Sequence, residues 1–384
     1  MKIGITTYFN IKNYGSALQA FAMKSFLEKN GHQAEFLNVK ESQPLDKYLH
    51  KLHVASVTAA KCLLYPEARR TQQEIMRLKR ETSSVISEKS QKAFDVFGEN
   101  YLPSVTVGRR KLKKAAHTDA YGAFICGSDQ IWSPLSPHLS GFKFLNFAPK
   151  QKRIAYAPSF GVSKMPSYNR AFVKKMLMGM EDISVREYDG ANMIEALTGR
   201  KAPVLLDPTM LLTGDQWRAL YRQQVSDLKS ENYVLCYFFD EPGSDVIEKI
   251  TKFASENNCK IKVLFPSNEG FLKNGAQCVD AGPMEFLQLV DGAQYVFTNS
   301  FHGCVFSVLF QKPFIAFGRK HSETVKQTSR IETLLQQVGA SQSFYSQNAD
   351  FQFPDTEGFD DSVEAMRQVS SQYLLNCLQK RMME

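Results

Sequence analysis

The most chemically suggestive stretch of this chain sets a histidine among hydroxyl and amide side chains where a strand would meet a helix. In residues 294–318, QYVFTNSFHGCVFSVLFQKPFIAFG, the tetrapeptide Ser300-Phe301-His302-Gly303 follows the β-branched and aromatic run Tyr295-Val296-Phe297. After it comes an apolar stretch interrupted by Ser307 and stopped at Lys312-Pro313. This pattern predicts strand, turn, buried helix and strand again. Thr298, Asn299 and Ser300 are residue types that cap helix N-termini. An imidazole moves protons near neutrality, and a helix N-terminus presents N–H groups to phosphate or carboxylate. His302 is therefore read as a proton donor beside an anion site. A plain capping or core histidine is the competing reading.

Other polar groups fall at equivalent places. Tyr121–Gly127 reads as a strand running into Ser128-Asp129. Arg153–Ala157 runs into Pro158-Ser159, Asp182–Arg186 ends on Arg186 itself, and Val204–Leu206 runs into Asp207-Pro208. One polar strand end is routine, because loops are polar. Four along one sheet edge predict a cleft, since parallel sheets bind ligands beyond their carboxyl ends. Nearer the N-terminus, Lys2–Thr7 reads as a strand, Ala17–Asn30 as a helix and Ala34–Val39 as the next strand. The turn between the first two carries Asn13, Tyr14, Gly15 and Ser16. It lacks GxGxxG, so a dinucleotide is not indicated. Its backbone N–H groups and hydroxyl suit an anion or a sugar; a merely structural turn is the alternative.

These groups must be held by two α/β domains. Residues 1–208 read as a doubly wound, Rossmann-like domain with a basic helical insert at about 44–115, expected as helices over 47–64 and 67–97. The strand–helix pattern restarts beyond Pro208. A second Rossmann-like domain is expected over 209–360, and a helix over 361–384 closes the chain. The two domains are expected to face a cleft.

Composition narrows the class. At 384 residues with 43% hydrophobic and 22% charged residues, the chain has apolar material for two cores. No run approaches a membrane-spanning helix, and the opening MKIGITTYF reads as a strand rather than a signal peptide. Seven scattered cysteines without a CxxC pair argue against a zinc ribbon and for reduced core thiols in a cytoplasmic protein. Asp and His residues lack metal-ligand spacing, so no metal is expected. The net charge is +8, and residues 51–115 alone hold 14 Lys and Arg against 6 Asp and Glu, an equal excess. No nucleic-acid-binding pattern accompanies that charge, so nucleic acid is not expected as a partner. Peripheral contact with the anionic inner face of a membrane, or with an anionic substrate carrier, is the functional reading. A solvated basic insert is the plain one.

Several phrases, taken in order, carry a family likeness: NYGSALQA at 13–20, GSDQIW at 127–132, YAPSFG at 156–161, SVRE at 184–187, LLDPT at 205–209, and NSFHG with its apolar helix and KPFIAF at 299–317. Together they resemble the polysaccharide pyruvyl transferase family from residue 1 to about 340. The resemblance implies a GT-B-like fold and transfer of pyruvate from phosphoenolpyruvate to a glycan as a ketal, with no cofactor besides that co-substrate. It implies a glycan or lipid-linked oligosaccharide acceptor. Arg186, Ser300, Phe301, His302 and Gly303 fall at the donor site that the family pattern implies. Ser300 stands where arginine is common in the family, and Lys320 and Arg330 are candidates for the missing charge. His302 is expected as general acid, with Asp129 or Asp207 as base. Asn13, Tyr14, Gly15, Ser16, Ser128, Asp129 and Asp207 are expected on the acceptor side. A glycosyltransferase of the same architecture using a nucleotide sugar, and a non-catalytic glycan-binding relative, are the alternatives.

Overall fold

The computed structural model describes residues 1–40, 44–81, 86–225, 231–264, 269–319, 328–346 and 349–383. Two all-parallel sheets carry it. The first contains β1 (Lys2–Thr6), β2 (Gln33–Val39), β3 (Ser104–Val107), β4 (Ala123–Cys126), β5 (Arg153–Ala155) and β6 (Asp182–Ile183), in the order β3-β2-β1-β4-β5-β6. The second contains β7 (Tyr233–Tyr237), β8 (Lys260–Leu264), β9 (Gln277–Val279), β10 (Tyr295–Thr298) and β11 (Phe314–Ala316), in the order β11-β10-β7-β8-β9. Most of these strands are short, apolar and buried on both faces, as parallel strands flanked by helices must be. Helices α1 (Tyr14–Lys29), α2 (Pro44–Leu64), α3 (Pro66–Glu81), α4 (Glu88–Tyr101), α5 (Arg109–Ala116), α6 (Arg170–Met178) and α7 (Tyr188–Thr198) lie in the first half. The second half holds α8 (Gly214–Arg222), α9 (Ser244–Glu256), α10 (Glu269–Lys273), α11 (Pro283–Asp291), α12 (Phe301–Leu309) and α13 (Ser329–Gln337).

Both sheets reverse direction of winding at one point, and that fixes where ligands can bind. In the first the reversal falls between the paired strands β1 and β4; in the second, between β7 and β10. A crevice opens beyond the carboxyl ends at such a switch point. The first crevice is bordered by the turns into α1 and past Ser128, the second by the turn into α12.

The segment 44–115 is not wholly an insert. It contains β3, whose Val105 and Val107 pair in register with Leu37 and Val39 of β2. Ser104-Val105-Thr106-Val107 alternates as a strand should, but only over four residues and among charged neighbours. The single helix expected over 67–97 is two, because Ser87 starts a fresh helix by accepting from the N–H of Ser90 at 3.1 Å. The strand expected over 204–206 forms one bridge, Val185 to Val204. Cys278 is exposed rather than in a core.

The halves meet through the first residue of α1. Tyr14 stacks on Phe286 of α11 at 4.7 Å and on Phe94 of α4 at 5.3 Å, and meets Tyr237 of β7 edge-on. Its hydroxyl donates to the carbonyl of Ala281 at 3.1 Å. The last helix, α14 (Phe359–Met383), returns to the first sheet. Its Ser370 Oγ accepts from the N–H of Leu206, and its Arg381 donates to the carbonyl of Arg153 and the carboxylate of Asp182.

Tyr14→Ala is expected to lower unfolding free energy by about 3–5 kcal/mol, as deletion of a buried aromatic ring does. Tyr14→Phe, which loses one hydrogen bond and no packing, should cost about 1 kcal/mol. Urea denaturation checks both; equal losses would mean that the ring stack does not join the halves.

Candidate functional site

The two turns at the first switch point are tied together by a buried amide. Gln19, on the second turn of α1, donates to Thr7 Oγ1 and to the carbonyls of Tyr8 and Ser16, each at 3.0 Å. Its oxygen accepts from the N–H of Ser128 at 3.2 Å. Gln19 thereby uses both ends of its amide to hold the β1 and β4 loops in one arrangement. In that arrangement Ser16 Oγ donates to Asp129 Oδ2 at 2.5 Å, and Asp129 Oδ1 accepts from the N–H of Gln130 at 2.7 Å. Asp129 sits at φ 61°, a left-handed backbone rare outside glycine and common where a loop presents a side chain.

At the centre lies Asp207, 1% exposed. Its Oδ1 accepts from the N–H and hydroxyl of Thr209, at 3.1 and 2.8 Å. Its Oδ2 accepts from Arg186 Nη1 at 2.5 Å and Ser128 Oγ at 2.9 Å, and faces His302 Nε2 at 3.7 Å. The last distance is too long for a hydrogen bond, and the contact is ionic only when the imidazole is protonated. Burial alone would raise this carboxyl; His302, Arg186 and the Thr209 N–H outweigh it and hold it well below the usual carboxylate range. Arg186 comes from the first half of the chain and His302 from the second, so one carboxylate binds groups from both.

His302 lies in the first turn of α12, where the Ser300 side chain caps the helix by accepting from the N–H of Gly303 at 3.3 Å. The ring is 8% exposed and faces the first half. A Cβ on Gly15 would come within 1.9 Å of His302 Nδ1, so only glycine allows this approach. Phe301 lies under the Arg186 guanidinium, 4.1 Å from ring centre to Cζ.

More cations surround this pair. Arg330 of α13 is buried, and the Gln130 carboxamide, turned with its oxygen inward, accepts from both of its terminal nitrogens at 3.1 and 3.2 Å. Burial, then the neighbouring Arg186 and Arg319, lower the Arg330 pKa to about 9, against the pull of Glu187 and Asp129. Burial also lowers Arg319, against Asp240, Tyr237 and Asp129. Arg319 stacks on Phe239 at 4.2 Å and donates to the carbonyl of Asn299 at 3.4 Å. Glu187 accepts from Ser159 Oγ and from the N–H groups of Phe160 and Gly161, which fixes the loop beneath Arg186. Its carboxyl is raised by burial, offset in part by Arg186 and Arg330. Among the described residues, Arg186 Nε and Nη2 and His302 Nε2 are buried without a hydrogen-bond partner. Arg330, lowered by burial and by the neighbouring Arg186 and Arg319, together with the unused donors of Arg186, suits this place to an anion.

Most residues singled out in the sequence meet here. Gly15, Ser16, Ser128, Asp129, Arg186, Asp207, Ser300, Phe301, His302, Gly303 and Arg330 converge from the two halves. Asn13 stands at the edge, accepting from the N–H of Ser16 to cap α1. Tyr14 is turned away from the cleft into the packing between halves. Lys320 lies outside the described residues. Sequence reasoning did not single out Gln19, Gln130, Glu187 or Arg319. Arg319 was open to the rule that found His302, for it follows the carboxyl end of β11. Among the described residues, no group of three or more His, Cys, Asp or Glu side chains is placed to hold a metal.

Comparison with known proteins follows the same lines. A UDP-GlcNAc 2-epimerase from Neisseria meningitidis bound to UDP-GlcNAc superposes with a TM-score of 0.51 at 10% identity, covering 99% of this chain and 100% of that one. A UDP-GlcNAc 2-epimerase from Methanocaldococcus jannaschii gives 0.47 at 12% identity over 96% and 99% of the two chains. The E. coli ADP-heptose lps heptosyltransferase II gives 0.38 at 12% identity over 99% of each. The first of these likenesses shows the fold, which is GT-B-like with two parallel α/β sheets. No curated protein matches the chain in sequence. Residues 13–321, which include Ser16, Asp129, Arg186, Asp207 and His302, match the family model described as polysaccharide pyruvyl transferase, and the chain belongs to that family.

Proposed function

We propose that this protein transfers the pyruvyl group of phosphoenolpyruvate onto two hydroxyls of a glycan as a cyclic ketal. One observation carries the reading. A histidine at a helix N-terminus stands among Arg186, Arg319 and Arg330, and Arg186 Nε and Nη2 and His302 Nε2 are buried there without a hydrogen-bond partner. A small donor bearing both phosphate and carboxylate answers those unused donors, because guanidinium forks hold either group through paired hydrogen bonds.

The reaction assigns a task to each group. One glycan hydroxyl oxygen bonds to C2 of the enol while His302 gives a proton to C3. Asp129, the more accessible carboxylate, takes the hydroxyl proton. The C2–O bond to phosphate then breaks, and Arg186, Arg319, Arg330 and the α12 N-terminus hold the departing phosphate and the charge it gains. The second hydroxyl adds to C2 and gives its proton to His302, which restores the acid, while Asp129 passes the first hydroxyl proton to the phosphate; one ketal and one phosphate result. Asn13, Ser16 and Ser128 line the acceptor side. Asp207 is too deeply sealed to meet a hydroxyl; we assign it as a positioning carboxylate that orients Arg186 and His302. Substrate reaches His302 as the halves part, since Gly15 covers one edge of the ring.

Thermal-shift titration tests the donor. Phosphoenolpyruvate should raise Tm progressively with concentration, as any ligand selective for the folded state does, while UDP and GDP leave it unchanged. Stabilisation by a nucleotide diphosphate and not by phosphoenolpyruvate would favour a nucleotide-sugar transferase.

Asp207→Asn leaves Arg186 buried with an unbalanced charge and should cost about 3–5 kcal/mol. The sign of its pH dependence follows from the direction of the shift. A carboxyl held below its unfolded value adds stability above the ordinary carboxylate range and loses it progressively as pH falls from that range down through the lower folded-state value. The variant should therefore show a flatter acid limb than the wild type, read by denaturation from neutral pH downward. An unchanged acid limb would remove Asp207 from its assigned role.

A further inference from the structure

Helix α2 is amphipathic the wrong way round for a helix covering a core. Leu45, Tyr48, Leu49, Leu52 and Leu63 recur at the spacing of one helix face, and all five are exposed, Leu63 to 86%. The face turned toward the protein carries His50, Val54, Val57 and Lys61, and Lys61 is anchored by donating to the carbonyl of Pro137 and to Asn169 Oδ1. Beside the apolar stripe stand Lys47 and Lys51, both exposed. Next to it lies α5, whose Leu112 and Ala116 are buried while Arg109, Arg110, Lys111, Lys113 and Lys114 face outward. Arg109 approaches His50 Nε2 at 3.5 Å, which ties the two helices into one surface. There is no acidic residue in α5, and Arg110, Lys111, Lys113 and Lys114 have no ion-pair partner among the described residues.

We propose that the α2–α5 face docks on an anionic lipid bilayer, with α2 lying in the plane of the headgroups. An apolar stripe flanked by unopposed basic side chains is what such a surface selects, the leucines entering the acyl boundary and the cations meeting the lipid phosphates. A second copy is a poorer occupant, because two-fold pairing would press the same basic flank against itself. No described helix is long and apolar enough to cross the membrane, so the contact is peripheral.

The placement bears on the acceptor. A cavity of about 380 Å³ opens beneath α3, walled by Tyr8, Ile131, Trp132, His138 and Lys143. His138 sits edge-on to His50 and His53 of α2, at 6.0 and 5.7 Å between ring centres. Ile131 is two residues from Asp129. The cavity thus lies between α2 and the loop that carries Asp129, where a glycan on a lipid carrier held in the bilayer would approach. This last step rests on the pyruvyl-transfer reading; the docking itself does not.

Co-sedimentation of the full chain with vesicles tests the docking without any turnover. Pelleting is expected with phosphatidylcholine–phosphatidylglycerol vesicles, about tenfold less with phosphatidylcholine alone, and less as salt rises. Leu49→Gln with Leu52→Gln, and separately Arg110→Glu with Lys114→Glu, should each lower binding by about tenfold while circular dichroism and phosphate release with a soluble acceptor stay unchanged. No pelleting with either vesicle would overturn the proposal, as would pelleting indifferent to the leucine pair. A wild-type dimer that the leucine pair converts to monomer in sedimentation velocity would assign the face to self-association instead.

Discussion

A carboxylate closed off from water cannot remain charged alone, and Asp207 is held charged by groups that arrive from opposite halves of the chain. Arg186 reaches it from the end of β6, Ser128 from the end of β4, and His302 from the first turn of α12. Removing Arg186 or Asp207 leaves the other unbalanced in a medium of low dielectric, where an unmatched charge is costly. The ionic contact therefore does more than add stability. It sets how α12 faces the first sheet, and it aims the cations that surround the imidazole. Gln19 and Glu187 support it from behind by fixing the loops that carry Ser128 and Arg186.

Fold and chemistry meet because both sheets wind outward from a central pair of strands. Each leaves a crevice at its switch point, and the contacts of His302 with Gly15 and Asp207 bring the two crevices together. Helices α1 and α12 begin there, which brings Gly15 against His302. Positive helix ends and arginines accumulate in that space, and the carboxylates present are already engaged. Serine at position 300 is consistent with this arrangement. It caps α12, while guanidinium charge comes from Arg186, Arg319 and Arg330 on three other segments.

Much of this was legible in the sequence, because a parallel sheet announces its ligand side. Polar residues that end apolar strands, such as Asp129 after β4 and His302 after β10, lie at carboxyl ends by construction. What could not be read was direction. Tyr14 and Gly15 are adjacent in one turn, yet Tyr14 points into the stack against Phe286 and Gly15 into the cleft. Only the register of α1 decides between them. The burial of Asp207 depends on partners far away in the chain. Arg319 went unnoticed beside Lys320 because two neighbouring cations in a loop look alike without a backbone. Strand β3 was hidden by the charges around it, and the outward leucines of α2 became visible only once the helix had a core to face away from.

What leaves the cleft when a donor reacts decides the chemistry. The direct measurement is NMR of a reaction run in deuterium oxide with phosphoenolpyruvate and a diol-bearing glycan acceptor. Transfer through protonation at C3 predicts a pyruvyl ketal whose methyl group carries one deuterium, formed in step with an equal amount of inorganic phosphate. A methyl group without deuterium, or a glycan product formed without phosphate release, would contradict it.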